Sequence, residues 1–170
     1  MTHNDVLRTL RYLLNVDDGG LVEIFRLGNG EVSRAEVVAL LKKDDEDGYQ
    51  ACGDKAMARF LNGLVIYKRG KDESRPPQPV EVPVTNNTVL KKVRVAFQLK
   101  DDDVIALLQK TGLTLSKTEL GAFFRRAVTG RQFVAVRTDG DVPRFDFVGR
   151  WRASQVIGGR LRVDGRDEHD

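Results

Sequence analysis

The chain has 170 residues, of which 41% are hydrophobic and 31% charged. At this size folding hides roughly 70% of the unfolded surface, so a packed core is expected. No apolar run nears the roughly 20 residues of a membrane span, and the single cysteine, Cys52, excludes an internal disulfide. Net charge is +3, divided unevenly: residues 1–85 carry 12 Lys/Arg against 14 Asp/Glu, and residues 86–170 carry 16 against 11. A half at +5 suits an anionic partner, although such an excess is also ordinary on proteins that bind no nucleic acid. Arg8 and Arg11 interrupt the N-terminal apolar residues, so no secretory signal is read there and the cytosol is the expected compartment.

Taken in order, the first element is a helix. Val6, Leu7, Leu10, Leu13 and Leu14 recur at helical spacing, and Asn4 is read as its N-cap. A second helix follows Asp17–Asp18, whose charges suit a positive helix end, and carries "LVEIFRL". Gly28 and Gly30 are read as left-handed stops. A third helix opens with Ser33 and Glu36 in a capping box. The acidic run Asp44, Asp45, Glu46 and Asp47 follows it. A fourth helix, "DKAMARFLNGLVIYKR", sets Met57, Phe60, Leu61, Leu64 and Val65 on one face. Residues 71–85 hold four of the five prolines, which fix φ and donate no N–H, so an extended linker is expected.

The chain then begins again. Shifted by 83 positions, Asn4 falls on Asn87, Val6 on Val89, Leu7 on Leu90, Arg11 on Arg94 and Asp18 on Asp101. Ser33 falls on Ser116, Glu36 on Glu119 and Ala39 on Ala122. These are eight identities across residues 4–43, against roughly two or three by chance. A second set of helices is therefore expected: one capped by Asn87, one after Asp101–Asp103 and ended by Gly112, and one opened by the Ser116–Glu119 box. Further on, "RQFVAVRTDGDVPRFDFV" alternates like a hairpin about Asp139–Gly140. A partial echo of the fourth helix, with Asp141 as cap and Pro143 in the first turn, favours a helix from about Pro143 to Trp151. The reading is all-α: two tandem helical repeats of about four helices each, at 1–70 and 86–152, a Pro-rich linker at 71–85, and a flexible tail at 153–170.

"NDVLRTLRYLL", "LLKKDDEDGY", "FLNGLVIYKRGKDES" and "NNTVLKKVRVAFQLKDDD" resemble the bacterial domain-of-unknown-function 1456 family, the YehS-like proteins. The resemblance covers residues 4–126 and weakens after Arg126. It implies a cytosolic tandem repeat of about 70 residues per unit. The family carries no established activity, so it implies no catalytic residue.

Residue chemistry adds little to suggest an enzyme. The only histidines are His3 and His169, at the two ends, where neither is expected to be a positioned base. Cys and His total three, widely separated, so no zinc set forms. No phosphate-binding loop of the "GxxxxGK[ST]" type occurs, and no cofactor or metal is expected. Cys52 is expected to be a buried small hydrophobe. Two candidate contact surfaces remain. Arg8, Arg11, Lys68, Arg69, Lys71, Lys91, Lys92 and Arg94 form a candidate anion-binding set. The competing reading of Arg11 and Arg94 is an ion pair with a repeated carboxylate, Asp18/Asp101 or Glu36/Glu119. Asp44, Asp45, Glu46 and Asp47 form a candidate acidic contact loop, or simply a solvated one. The expected function is a non-catalytic, regulatory binding module for an anionic partner, nucleic acid or an acidic protein, with no membrane partner. The alternatives are a protein-interaction module, such as a homo-oligomer, and an enzyme of unrecognised type.

Overall fold

A computed structural model of the chain describes residues 2–110 and 112–126. Among them are seven helices and no strand: α1 (His3–Leu14), α2 (Asp18–Leu27), α3 (Arg34–Leu41), α4 (Asp54–Arg69), α5 (Asn86–Ala96), α6 (Asp101–Lys110) and α7 (Lys117–Arg126). Residues 70–85 contain neither helix nor strand. No described helix is long and apolar enough to cross a membrane. The expected helix at 143–151, its hairpin alternative, the tail at 153–170 and His169 lie outside the described residues.

The helices start where short side chains can satisfy free backbone N–H groups. Ser33 and Glu36 form the expected capping box on α3: Glu36 N donates to Ser33 Oγ (3.1 Å) and Ser33 N to Glu36 Oε2 (2.6 Å). Ser116 and Glu119 do the same on α7. Asn4 and Asn87, by contrast, are not caps. Thr2 caps α1 in a box with Asp5, and Thr85 caps α5 in a box with Thr88. Each asparagine lies one residue inside its helix, and Asn4 is buried.

The Asn4 amide makes four contacts that fasten the loop after α3. Its Nδ2 donates to Leu40 O and Gln50 O, both at 2.8 Å. Its Oδ1 accepts from Cys52 N at 2.9 Å and Tyr49 Oη at 3.3 Å. A buried amide with all its hydrogen-bonding capacity used holds one loop geometry over others.

The apolar faces read from the sequence meet in one core. Val6, Leu7 and Leu10 of α1 pack with Leu21, Ile24 and Phe25 of α2, Val37 and Leu40 of α3, and Met57, Phe60, Leu61 and Leu64 of α4. The same cluster continues through Val89, Leu90 and Val93 of α5 to Val104, Leu107 and Leu108 of α6 and Leu120 of α7. Helix α4 is the shared wall, with α2 and α5 both packed along it. The Phe25 and Phe60 rings meet at 5.1 Å between centroids, tilted by 52°, a favourable arrangement for paired rings.

Gly28 and Gly30 do not take left-handed backbone; that role falls to Asn15, Asn29 and Gln98, together with Gly112, Gly48 and Gly70. Gly28 serves the crossing of α2 and α4 instead. A Cβ there would lie 1.8 Å from Arg59 O, and one on Gly63 would lie 1.8 Å from Ile24 O. The two backbones touch at reciprocal glycines, a contact open to no residue with a side chain.

Two outcomes follow. In an ordinary helix, Gly→Ala adds about 1 kcal/mol of stability. Gly63→Ala should instead destabilise by about 3 kcal/mol or more, because backbone cannot move aside as a side chain can. Urea denaturation decides the sign; a gain in stability would mean that the helices do not meet there. The second outcome concerns the caps. Burial opposes ionisation of Asp5, but hydrogen bonds from Thr2 and the Arg8 guanidinium hold its carboxyl below the usual range. Hydrogen bonds from the Ser33 and Ser116 backbone and side chains lower Glu36 and Glu119 likewise. A depressed carboxylate contributes stability that is present above its unfolded pKa, about 4, and is lost as pH falls through the folded value. Urea midpoints should therefore drop below about pH 4, and Glu36→Gln/Glu119→Gln should drop less steeply.

Candidate functional site

The candidate site is built at the junction of α1, α2 and the end of α3. Asn15 takes left-handed backbone (φ 51°) and ends α1, its N–H bonding Tyr12 O at 3.1 Å. The chain turns at once, and Val16 N bonds Arg11 O at 3.3 Å. This brings Asp18, at the start of α2, to 3.0 Å from Arg11 Nη2. One turn earlier, Arg8 pairs with Asp5 and sends Nη1 to Lys42 O at 2.7 Å. Helix α3 has no basic residue in its own last turn, so Arg8 supplies a cation to its negative end from another helix. Between these groups lies an open groove of about 440 Å³, lined by Arg8, Arg11, Tyr12, Asn15, Val16 and Leu41. Tyr12 is 56% exposed at its edge, whereas Arg11 Nε is buried without a hydrogen-bond partner.

The α5–α6 junction has a similar frame. Gln98 is left-handed (φ 54°), Gln98 N bonds Val95 O, and Leu99 N bonds Arg94 O. Arg94 Nη2 reaches Asp101 Oδ1 at 2.5 Å. Here, however, Arg94 Nε donates to Leu99 O at 3.2 Å, and the guanidinium carbon lies 5.0 Å from the Phe124 ring centre. Arg11 and Arg94 thus hold Asp18 and Asp101, not Glu36 and Glu119, which are used as caps.

The other candidate cations are mostly held in place too. Lys92 Nζ donates to Asn62 Oδ1 at 2.7 Å, and Asn62 Nδ2 donates to Gln78 O and Pro79 O. This chain of bonds ties α4, α5 and the segment between them. Burial pulls the Lys92 ammonium down from its ordinary pKa, with Glu81 opposing. Lys68 lies 5.3 Å from the Phe97 ring centre. Arg69 donates to Val95 O at 3.4 Å, and Lys71 pairs with Glu73 at 3.0 Å on the surface. Lys91 has no hydrogen bond or ion pair among the described residues. The eight cations therefore form no single bare surface: seven have internal partners.

The acidic run is a turn that caps itself. Glu46 accepts from Lys43 N at 2.6 Å, and Lys42 Nζ reaches Asp47 O at 2.5 Å. Asp44, Asp45 and Asp47 are exposed. No group of three or more His, Cys, Asp or Glu side chains capable of holding a metal occurs among the described residues.

His3 is positioned, contrary to the sequence expectation for a terminal residue. Its Nδ1 faces Cys52 O at 3.1 Å and its Nε2 faces Val84 O at 3.2 Å, with Asp54 Oδ1 3.6 Å away. Val84 N also donates to Asp54 Oδ1. This joint brings the starts of α1 and α4 against the residue before the Thr85 cap of α5. Cys52 is 6% exposed. Burial, then the Asp54 charge, pushes its thiol up to about 11, so it remains a neutral core group at ordinary pH.

The family described as "Protein of unknown function (DUF1456)" matches residues 3–70 and 86–137. The break between these segments falls on the stretch without helix. The chain is similar to "Uncharacterized protein YehS" of Escherichia coli (strain K12), 45% identical over 125 residues, which is 74% of this chain and 80% of the relative. No solved structure matches the chain.

Lys91 and Lys92 separate surface charge from structural charge. Lys92→Met leaves the Asn62 carbonyl without its cation and should cost about 1–3 kcal/mol. Lys91→Met should stay within about 0.5 kcal/mol of the parent. Paired urea denaturation curves measure the difference, and equal losses would contradict the assigned roles.

Proposed function

The chain belongs to the DUF1456 family, and we propose that it is a non-catalytic binding module made of one helical unit used twice. Recurrence of contacts at positions 83 apart supports the duplication: Arg11–Asp18 and Arg94–Asp101, the left-handed Asn15 and Gln98, and the two Ser–Glu boxes. The units meet at α4 and α5, and residues 71–85 link them. Among the described residues the one histidine, His3, and the one cysteine, Cys52, are both engaged in the fold, which favours a binding role over histidine- or thiol-based catalysis.

The partner is an anionic one, and an acidic protein segment fits better than nucleic acid. The groove between α1 and α3 carries this reading. It offers two guanidinium groups, an exposed tyrosine and two aliphatic side chains within one concavity, and Arg and Tyr dominate the energetic centres of protein interfaces. A nucleic acid backbone is instead followed by rows of cations, and of the six candidates outside the groove five are held by internal partners. The module is read as regulatory, occupying or releasing its partner without altering it.

An NMR titration with a short peptide of Asp, Glu and Leu tests this. Shifts should concentrate on Arg8, Arg11, Tyr12 and Leu41 and weaken with salt. Tyr12→Ala should lower affinity by about tenfold, or ~1.4 kcal/mol, with the fold intact. A silent groove overturns the reading. If low-salt DNA instead shifts Lys91 and its neighbours with steep salt dependence, nucleic acid is the partner.

A further inference from the structure

The two junctions share a frame but differ in where they carry a ring, Tyr12 against Val95 and Leu41 against Phe124. The groove residues Arg8, Arg11, Tyr12, Asn15, Val16 and Leu41 correspond, 83 positions on, to Lys91, Arg94, Val95, Gln98, Leu99 and Phe124. The turns and the Arg–Asp pairs match. The second junction adds a ring: Phe124 lies against the Arg94 guanidinium at 5.0 Å. The first has Leu41 in that place and an open cavity beside it. Arg11 also differs from Arg94 in its Nε, which is buried and unpartnered while Arg94 Nε bonds Leu99 O. A guanidinium face is electrostatically complementary to the electron-rich face of an aromatic ring and stacks flat on it, whereas an ammonium offers the ring only a point charge.

We infer that the groove takes an aromatic side chain from a partner protein segment, seated over Arg11 as Phe124 is seated over Arg94. The inference rests on the groove being a docking site for an acidic segment, and it adds the residue that anchors that segment. The molecule supplies its own template: one junction sets a ring from its own α7 against its arginine, and the other, with Leu41 in that place, is left for a ring from outside. Flanking carboxylates on the segment would face Arg8 at the groove wall.

The test compares two acidic peptides that differ at one residue, Leu in one and Phe in the other, followed through the Arg11 Nε–Hε signal. The Phe peptide should bind about tenfold more tightly, the scale of a partly desolvated cation–π contact, and should shift Arg11 Nε–Hε strongly. Leu41→Phe places the missing ring within the chain and should abolish binding of the Phe peptide. Should that variant fail to fold, Arg11→Lys keeps a cation for Asp18 but removes the planar face, and it should reduce the preference for Phe over Leu severalfold. Equal binding of the two peptides overturns this inference and leaves the acidic docking site standing. Binding of neither overturns both. A folded Leu41→Phe, or an Arg11→Lys variant, that prefers the Phe peptide as the parent does also overturns it.

Discussion

The rest of the structure depends on the contact between Gly28 and Gly63. There the backbones of α2 and α4 come within carbonyl reach of each other, at a separation that admits no Cβ on either side. That approach sets Phe25 against Phe60 and draws α4 deep enough for Met57, Phe60, Leu61 and Leu64 to be fully buried. Helix α4 then has its other side free for α5. A looser crossing would move α4 outward, and the single core would divide into two smaller ones. Small cores bury too little surface to be stable alone.

Polar side chains complete what the apolar core starts. The core brings the helices together but does not say how the irregular segments run over them. Asn4 places residues 49–52, Asn62 places residues 78–79, and His3 with Asp54 places Val84. Buried amides such as Asn4 and Asn62 are costly when unmatched, so these two admit few alternative loop paths. Two of the three bind the segment leading into α5, and they therefore also decide how the second set of helices is delivered to α4.

The same economy governs charge. A basic second half suits an anionic partner, but two of its three candidate cations, Lys92 and Arg94, are turned to a carboxylate, carbonyls and a ring within the chain. The groove at α1 and α3 differs because its arginines serve the fold and still line open space. Its distinctiveness comes from comparison within the molecule: in the corresponding frame at α5 and α7 the Phe124 ring lies against the Arg94 guanidinium. The Leu41/Phe124 difference was visible in the sequence as one apolar residue replacing another. Only the placement of those residues beside Arg11 and Arg94 gives the change its meaning.

The sequence alone determined the helical class, the bounds of α4, both Ser–Glu capping boxes and the buried faces of α1 and α5. These are local or periodic properties, set by residues within about one or two helical turns of each other. The Thr2 and Thr85 caps were legible too, in "THND" and "TNNT", but the asparagines two places on drew the assignment because Asn is itself a strong cap former. Tertiary structure alone decided that Asn4 is a buried hub, that Gly28 and Gly63 form a contact point and not a turn, that His3 is fixed, and that the arginines line a groove. Each of these roles rests on partners about thirty to eighty residues away. No local pattern encodes such partners, because the energy that selects them exists only once the helices have packed.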